Sequence, residues 1–87
     1  DDYSKLFIEI PSLTHKDGLH IQPAGRYLRA FYKGGWDGLP QQYLAILDYA
    51  RRQGLALSGF SYEKGLNEAV VDQIEDYILQ IEIPVLT

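Results

Sequence analysis

The stretch Gly59-Phe60-Ser61-Tyr62-Glu63-Lys64-Gly65 decides how the chain is read. Side chains alternate along a strand, so Phe60 and Tyr62 are expected on one face and Ser61 and Glu63 on the other. An acid interleaved with aromatics admits two placements. On a wet face, or at the end of a strand, the carboxylate costs little. At the floor of an apolar cavity an ionised carboxylate is costly unless a cation joins it.

The expected strand runs from Leu55 to Lys64, and the clearest helix of the chain precedes it, from about Leu39 to Gln53. Pro40 suits the first helical turn, where its missing N–H does no harm. Leu39, Tyr43, Ile46, Leu47 and Ala50 recur at three- and four-residue steps and form an apolar stripe. Arg51 and Arg52 favour the last turn, and Gly54 supplies the stop. Further out, Tyr3 to Ile10 reads as a strand ended by Pro11, and Ser12 to Gly18 as a polar loop. From Leu19 the chain turns extended, bends at Pro23-Ala24-Gly25 and continues as a strand from Arg26 to Lys33. Tyr27, Arg29 and Phe31 share one of its faces; Leu28, Ala30 and Tyr32 share the other. Gly34-Gly35-Trp36-Asp37-Gly38 is a turn. Gly65 to Glu75 reads as an acidic loop with a helical turn around Ala69 to Ile74. Asp76 to Val85 is the last strand, with Tyr77, Leu79, Ile81 and Ile83 on one face and Pro84 at its end or on an edge. The fold class is α+β, an antiparallel sheet with one main helix in the order β-β-α-β-β.

At 87 residues the chain is one small domain or part of one, and 46% hydrophobic residues suffice for a core. Eight basic against twelve acidic residues give a net charge of −4, and the only basic clusters are Arg26/Arg29 and Arg51-Arg52. That pattern excludes a phosphate-tracking stripe, so direct nucleic-acid contact is not expected. The acidic field modestly favours a cationic ligand. No cysteine is present, hence no disulfide and no thiolate metal site. His15 and His20 lack a third ligand at suitable spacing, so neither metal nor cofactor is expected. No apolar run reaches the ~18 residues of a membrane helix, and a soluble, cytoplasmic protein without membrane contact is expected. The absence of methionine suggests a segment of a longer protein.

One echo bears on organisation. Phe7-Ile8-Glu9-Ile10-Pro11 and Gln80-Ile81-Glu82-Ile83-Pro84 share the pattern x-Ile-Glu-Ile-Pro. Residues 1–11 would then be the last strand of one repeat and residues 19–85 a second repeat. Glu9 and Glu82 are expected as solvated strand positions, and Arg26 and Arg29 as exposed.

The run from His20 to Tyr27, then Tyr32-Lys33-Gly34, a helix, Ser61-Tyr62-Glu63-Lys64-Gly65-Leu66-Asn67-Glu68, and Asp76-Tyr77-Ile78-Leu79-Gln80-Ile81-Glu82-Ile83-Pro84-Val85 together resemble the GyrI-like small-molecule-binding domain. More narrowly they resemble the C-terminal effector domain of MerR-type regulators of multidrug efflux. The resemblance implies two pseudo-symmetric β-α-β-β halves with a ligand site between them. It implies a pocket glutamate pairing with lipophilic cations, by position Glu63, and aromatic contacts from Tyr27, Trp36 and Tyr77. A full domain of that family is about twice as long and follows a DNA-binding segment. The present chain is therefore expected as a piece of such a domain, or as one that completes its cavity with a second copy as a homodimer. Two other classes remain open. Some GyrI-like proteins are hydrolases of small molecules, and a glutamate beside tyrosines suits a general base. Others are protein-binding inhibitors, which need no pocket. No phosphate loop, Ser-His-Asp order or metal spacing marks an enzyme here, so catalysis is not expected.

Overall fold

A computed structural model describes residues 6–17, 20–67, 73 and 76–86. The strands are β1 (Phe7–Ser12), β2 (His15–Asp17), β3 (His20–Gln22), β4 (Gly25–Lys33), β5 (Ala56–Leu57), β6 (Tyr62–Gly65) and β7 (Ile78–Leu86), with one α-helix, α1 (Leu39–Gln53), after a 3-10 turn at Trp36–Gly38. The main sheet is antiparallel in the order β1-β4-β7, with β5 and β6 following one another along the outer edge of β7. The described residues therefore form an α+β fold, with one α-helix among them on an antiparallel sheet.

Helix α1 has both ends that its sequence calls for. Pro40 lies in the first turn, Arg51 and Arg52 in the last, and Gly54 takes the left-handed conformation (φ 72°) while its N–H caps the Ala50 and Arg51 carbonyls. Its buried residues are Gln42, Ile46 and Ala50, one turn apart. Ile46 is fully buried against Leu28 and Ala30 of β4 and Leu79, Ile81 and Ile83 of β7. Tyr43 and Tyr49 project about 60° to either side of Ile46. Tyr43 reaches the β6 edge, where its hydroxyl meets Ser61 and Glu63. Tyr49 reaches the β1 edge, where its ring lies 5.0 Å from that of Phe7. The helix thus spans the sheet from edge to edge.

Four expectations are corrected. Leu47 is not in the stripe. It lies about 100° round the helix from Ile46 and is 53% exposed, whereas Gln42 is buried and donates its amide to the Phe31 carbonyl at 2.8 Å. The strand expected over Leu55–Lys64 is broken into β5 and β6. The Ser58 hydroxyl bonds the Phe60 carbonyl at 2.8 Å, a local side-chain bond that competes with the ladder. The polar loop after Pro11 contains β2, which forms a small hairpin with β3, and Thr14 Oγ1 accepts from the Ala24 N–H at 2.9 Å. Pro11 and Pro84 both lie within strands rather than at their ends. The expectations for residues 1–5 and for a helical turn around Ala69–Ile74 fall outside the described residues, apart from Gln73. Among the described residues no helix is long and apolar enough to cross a membrane.

The two copies of the x-Ile-Glu-Ile-Pro pattern flank β4 and run parallel to each other. Their registers differ by one residue: Glu9 stands opposite Leu28, Glu82 opposite Arg29. A one-residue offset exchanges faces, so Glu9 shares the helix-covered side and Glu82 the other.

Burial separates Ile46 from Leu47. Ile46→Ala is expected to lower the urea unfolding free energy by about 2–5 kcal/mol, because it opens a cavity under α1. Leu47→Ala is expected to change it by less than about 0.5 kcal/mol. Equal effects would contradict this orientation of the helix.

Candidate functional site

Glu63 stands opposite Ile81 and so shares the helix-covered side of the sheet, but on the edge strand β6, where its side chain is exposed. Ser61 points the same way. The Tyr43 hydroxyl lies between them, bonding Ser61 Oγ at 2.8 Å and donating to the Glu63 carboxylate. Partial burial, then the Glu63 hydrogen bond, push the Tyr43 phenol up to about 12. Of the two placements that the alternation allowed for Glu63, the structure has the exposed one, with a phenol as partner.

Two residues along β6 from Glu63, a distance of about 6.6 Å, the strand carries Gly65. A Cβ there would stand on the Tyr77 hydroxyl, so the missing side chain is what lets the Tyr77 ring lie against the strand. Tyr77 packs on the core from this side, and Trp36 tilts against it with ring centroids 5.7 Å apart. The backbone holds the pair: the Gly34 N–H donates to the Tyr77 carbonyl at 3.2 Å, and the Tyr32 hydroxyl donates to the Gly35 carbonyl. Asn67 fixes the start of β7 by accepting from the Ile78 N–H at 2.8 Å and donating to the Asp76 carbonyl at 2.9 Å. Trp36 remains 56% exposed. Glu63, Tyr43, Tyr77 and Trp36 therefore line one strip between β6 and the first half of α1.

Tyr27 is not part of that strip. It shares the opposite face with Arg29 and Phe31, is 2% exposed, and donates its hydroxyl to the Pro23 carbonyl. Tyr62 stands 6.0 Å from it edge to face, and Phe60 continues the row at 5.7 Å from Tyr62. Burial, followed by the neighbouring Tyr62, raises the Tyr27 phenol above its usual value.

The expectation that Glu82 is solvated and Arg29 exposed is also corrected. Glu82 is 4% exposed, accepting from Arg29 Nε at 2.7 Å and from the Gln22 amide at 2.8 Å. Arg29 is two-thirds covered. Their ladder pairing accounts for both burials, since a carboxylate on an interior strand needs a cation and a donor. Glu9 does keep an exposed partner, Arg26.

No family model, curated protein or solved structure matches the chain.

Two measurements check these groups. In an alkaline titration followed by tyrosinate absorbance, one phenol is expected near pH 12, moving part of the way toward 10 in Glu63→Gln as the negative charge disappears while the burial remains. The folded chain holds that proton more tightly than the unfolded one. Its contribution to stability is therefore complete below pH 10 and lost as the pH climbs through about 12. Separately, Arg29→Met is expected to cost about 3 kcal/mol by stranding Glu82, and the double change Arg29→Met/Glu82→Leu to recover most of it. A double variant no more stable than the single one would contradict the pairing.

Proposed function

We propose that the chain is the effector-binding module of a bacterial transcriptional regulator of the GyrI-like type, taking lipophilic cationic small molecules against Glu63. In this reading residues 1–11 end one repeat of a pseudo-duplicated domain and residues 19–85 form the next. DNA contact then belongs to another part of the regulator, and a second copy or a further half completes the enclosure. The observation that carries the proposal is the strip itself: an accessible carboxylate on β6, two residues from the glycine on which the Tyr77 ring lies, with Trp36 tilted against that ring, in an acidic chain.

The chemistry follows from those groups. A delocalised cation gives Glu63 a counter-charge without directed hydrogen bonds, and each aromatic face adds roughly 0.5–2 kcal/mol. Selectivity is then for charge, flatness and apolar area rather than for one molecule. Tyr43 takes the place that Tyr27 was expected to fill, because it bonds the carboxylate directly. Binding to one arrangement of the domain in preference to another is what would couple the ligand to DNA.

A hydrolase is the second reading, and the Tyr43–Glu63 bond favours it, since a phenol bonded to a carboxylate is an acid–base pair.

Trp36 is the only tryptophan, so it reports directly. Tetraphenylphosphonium is expected to quench its fluorescence saturably, and Glu63→Gln to weaken that binding about tenfold, equivalent to about 1.4 kcal/mol. No quenching, or quenching indifferent to Glu63→Gln, would sink the ligand reading. Turnover of an ester or strained-ring substrate that is abolished by Glu63→Gln would move the assignment to the hydrolase.

A further inference from the structure

The sheet face away from α1 has a charge opposite to that of the chain. Ladder pairing puts Arg29 and Lys33 of β4 and Lys64 of β6 on this face, around Phe31 and Gln80. The acid there among the described strand residues is Glu82, and it is committed to Arg29 and Gln22. The face therefore carries a positive excess on a chain of net charge −4. Next to Arg29 on β1 is Ile8, 39% exposed, with Ile10 two residues further along the strand and Leu6, 45% exposed, just before the strand begins.

Arg29 is held in a particular way. Glu82 takes its Nε, and among the described residues its two terminal nitrogens donate to no carboxylate or carbonyl. A guanidinium held through Nε keeps its two terminal nitrogens as further donors, and a planar oxyanion is their complement. Lys33 and Lys64 are exposed and form no ion pair among the described residues. Cations gathered beside an aliphatic strip are the complement of an anionic head joined to an aliphatic tail.

From this charge complementarity we infer that the face opposite the helix binds a single amphiphilic monocarboxylate, with its head at Arg29, Lys33 and Lys64 and its tail along Ile8 and Leu6. The site lies across the sheet from Glu63 and does not depend on it.

Isothermal titration calorimetry with decanoate, kept below its micelle concentration, tests this. Saturable binding is expected to weaken about five- to tenfold in Lys33→Gln/Lys64→Gln and measurably in Ile8→Thr, all exposed positions whose change leaves the core intact. It is also expected to weaken with added salt and to be unchanged in Glu63→Gln. Decyltrimethylammonium, with the same tail and the opposite charge, is expected not to bind at this face. The inference is overturned if decanoate shows no saturable binding or if the lysine changes leave its affinity unaltered. It is equally overturned if the cationic amphiphile competes equally well, or if the chain sediments with phosphatidylglycerol vesicles while ignoring free decanoate.

Discussion

The backbone of β7 pairs along both edges, with β4 on one side and with β5 and β6 in succession on the other. Almost every side-chain placement follows from that register. A strand fixed on both sides cannot slip, so its alternation is imposed on its neighbours. Leu79, Ile81 and Ile83 meet α1, while Gln80, Glu82 and Pro84 must take the other face. Glu82 is carried into the interior by this arithmetic, and the fold answers with Arg29 across the ladder and Gln22 from the small hairpin. The same register puts Glu63 opposite Ile81, on the covered side, but at the edge where water and Tyr43 both reach it.

Much of this was legible in the chain. The helix bounds could be read because their signals are local: a proline in the first turn, arginines in the last, a glycine just beyond. The opposed faces of Phe60/Tyr62 and Ser61/Glu63 could be read because alternation needs no partner. What could not be read depends on a second element. Leu47 and Gln42 both fit an apolar stripe with one exception, and the choice between them is made by where Ile46 enters the sheet. The break at Ser58 depends on a hydroxyl bonding its own backbone two residues on, in a stretch whose composition otherwise suits a strand.

The site shows the same division. Trp36 and Tyr77 are 41 positions apart in number, and no spacing rule joins them. They meet because β4 delivers the glycine turn to the point where β7 begins. Tyr27 was expected at the ligand only through the family resemblance, and its parity with Arg29 and Phe31 already assigned it to the face opposite Leu28. The missed signal was the parity of Glu63 relative to that strand, which needs the β7 register to be stated. Glu82 was misjudged because a glutamate between isoleucines looks like an outward-facing strand position. Only the register with Arg29 shows that both of its faces are covered.

Two carboxylates on adjacent strands thus end with different chemistry. Glu82 has lost its water and gained a fixed cation and an amide, so a further cation has little to offer it. Glu63 keeps its water and is restrained only by a neutral phenol, so its charge stays uncompensated among the described residues. The difference arises from strand position, interior against edge, and not from residue type. The helix covers one face of the sheet, while the other is covered only in part, where Gln22 of the hairpin and the Tyr27 ring lie. The helix-covered face offers charge at its rim, and the other face neutralises the carboxylate that the register buries there. On this chain the rim of the covered side is where a positive guest meets an acid with room for it. The opposite side, where Glu82 is the acid among the described strand residues and is already committed, is left presenting cations.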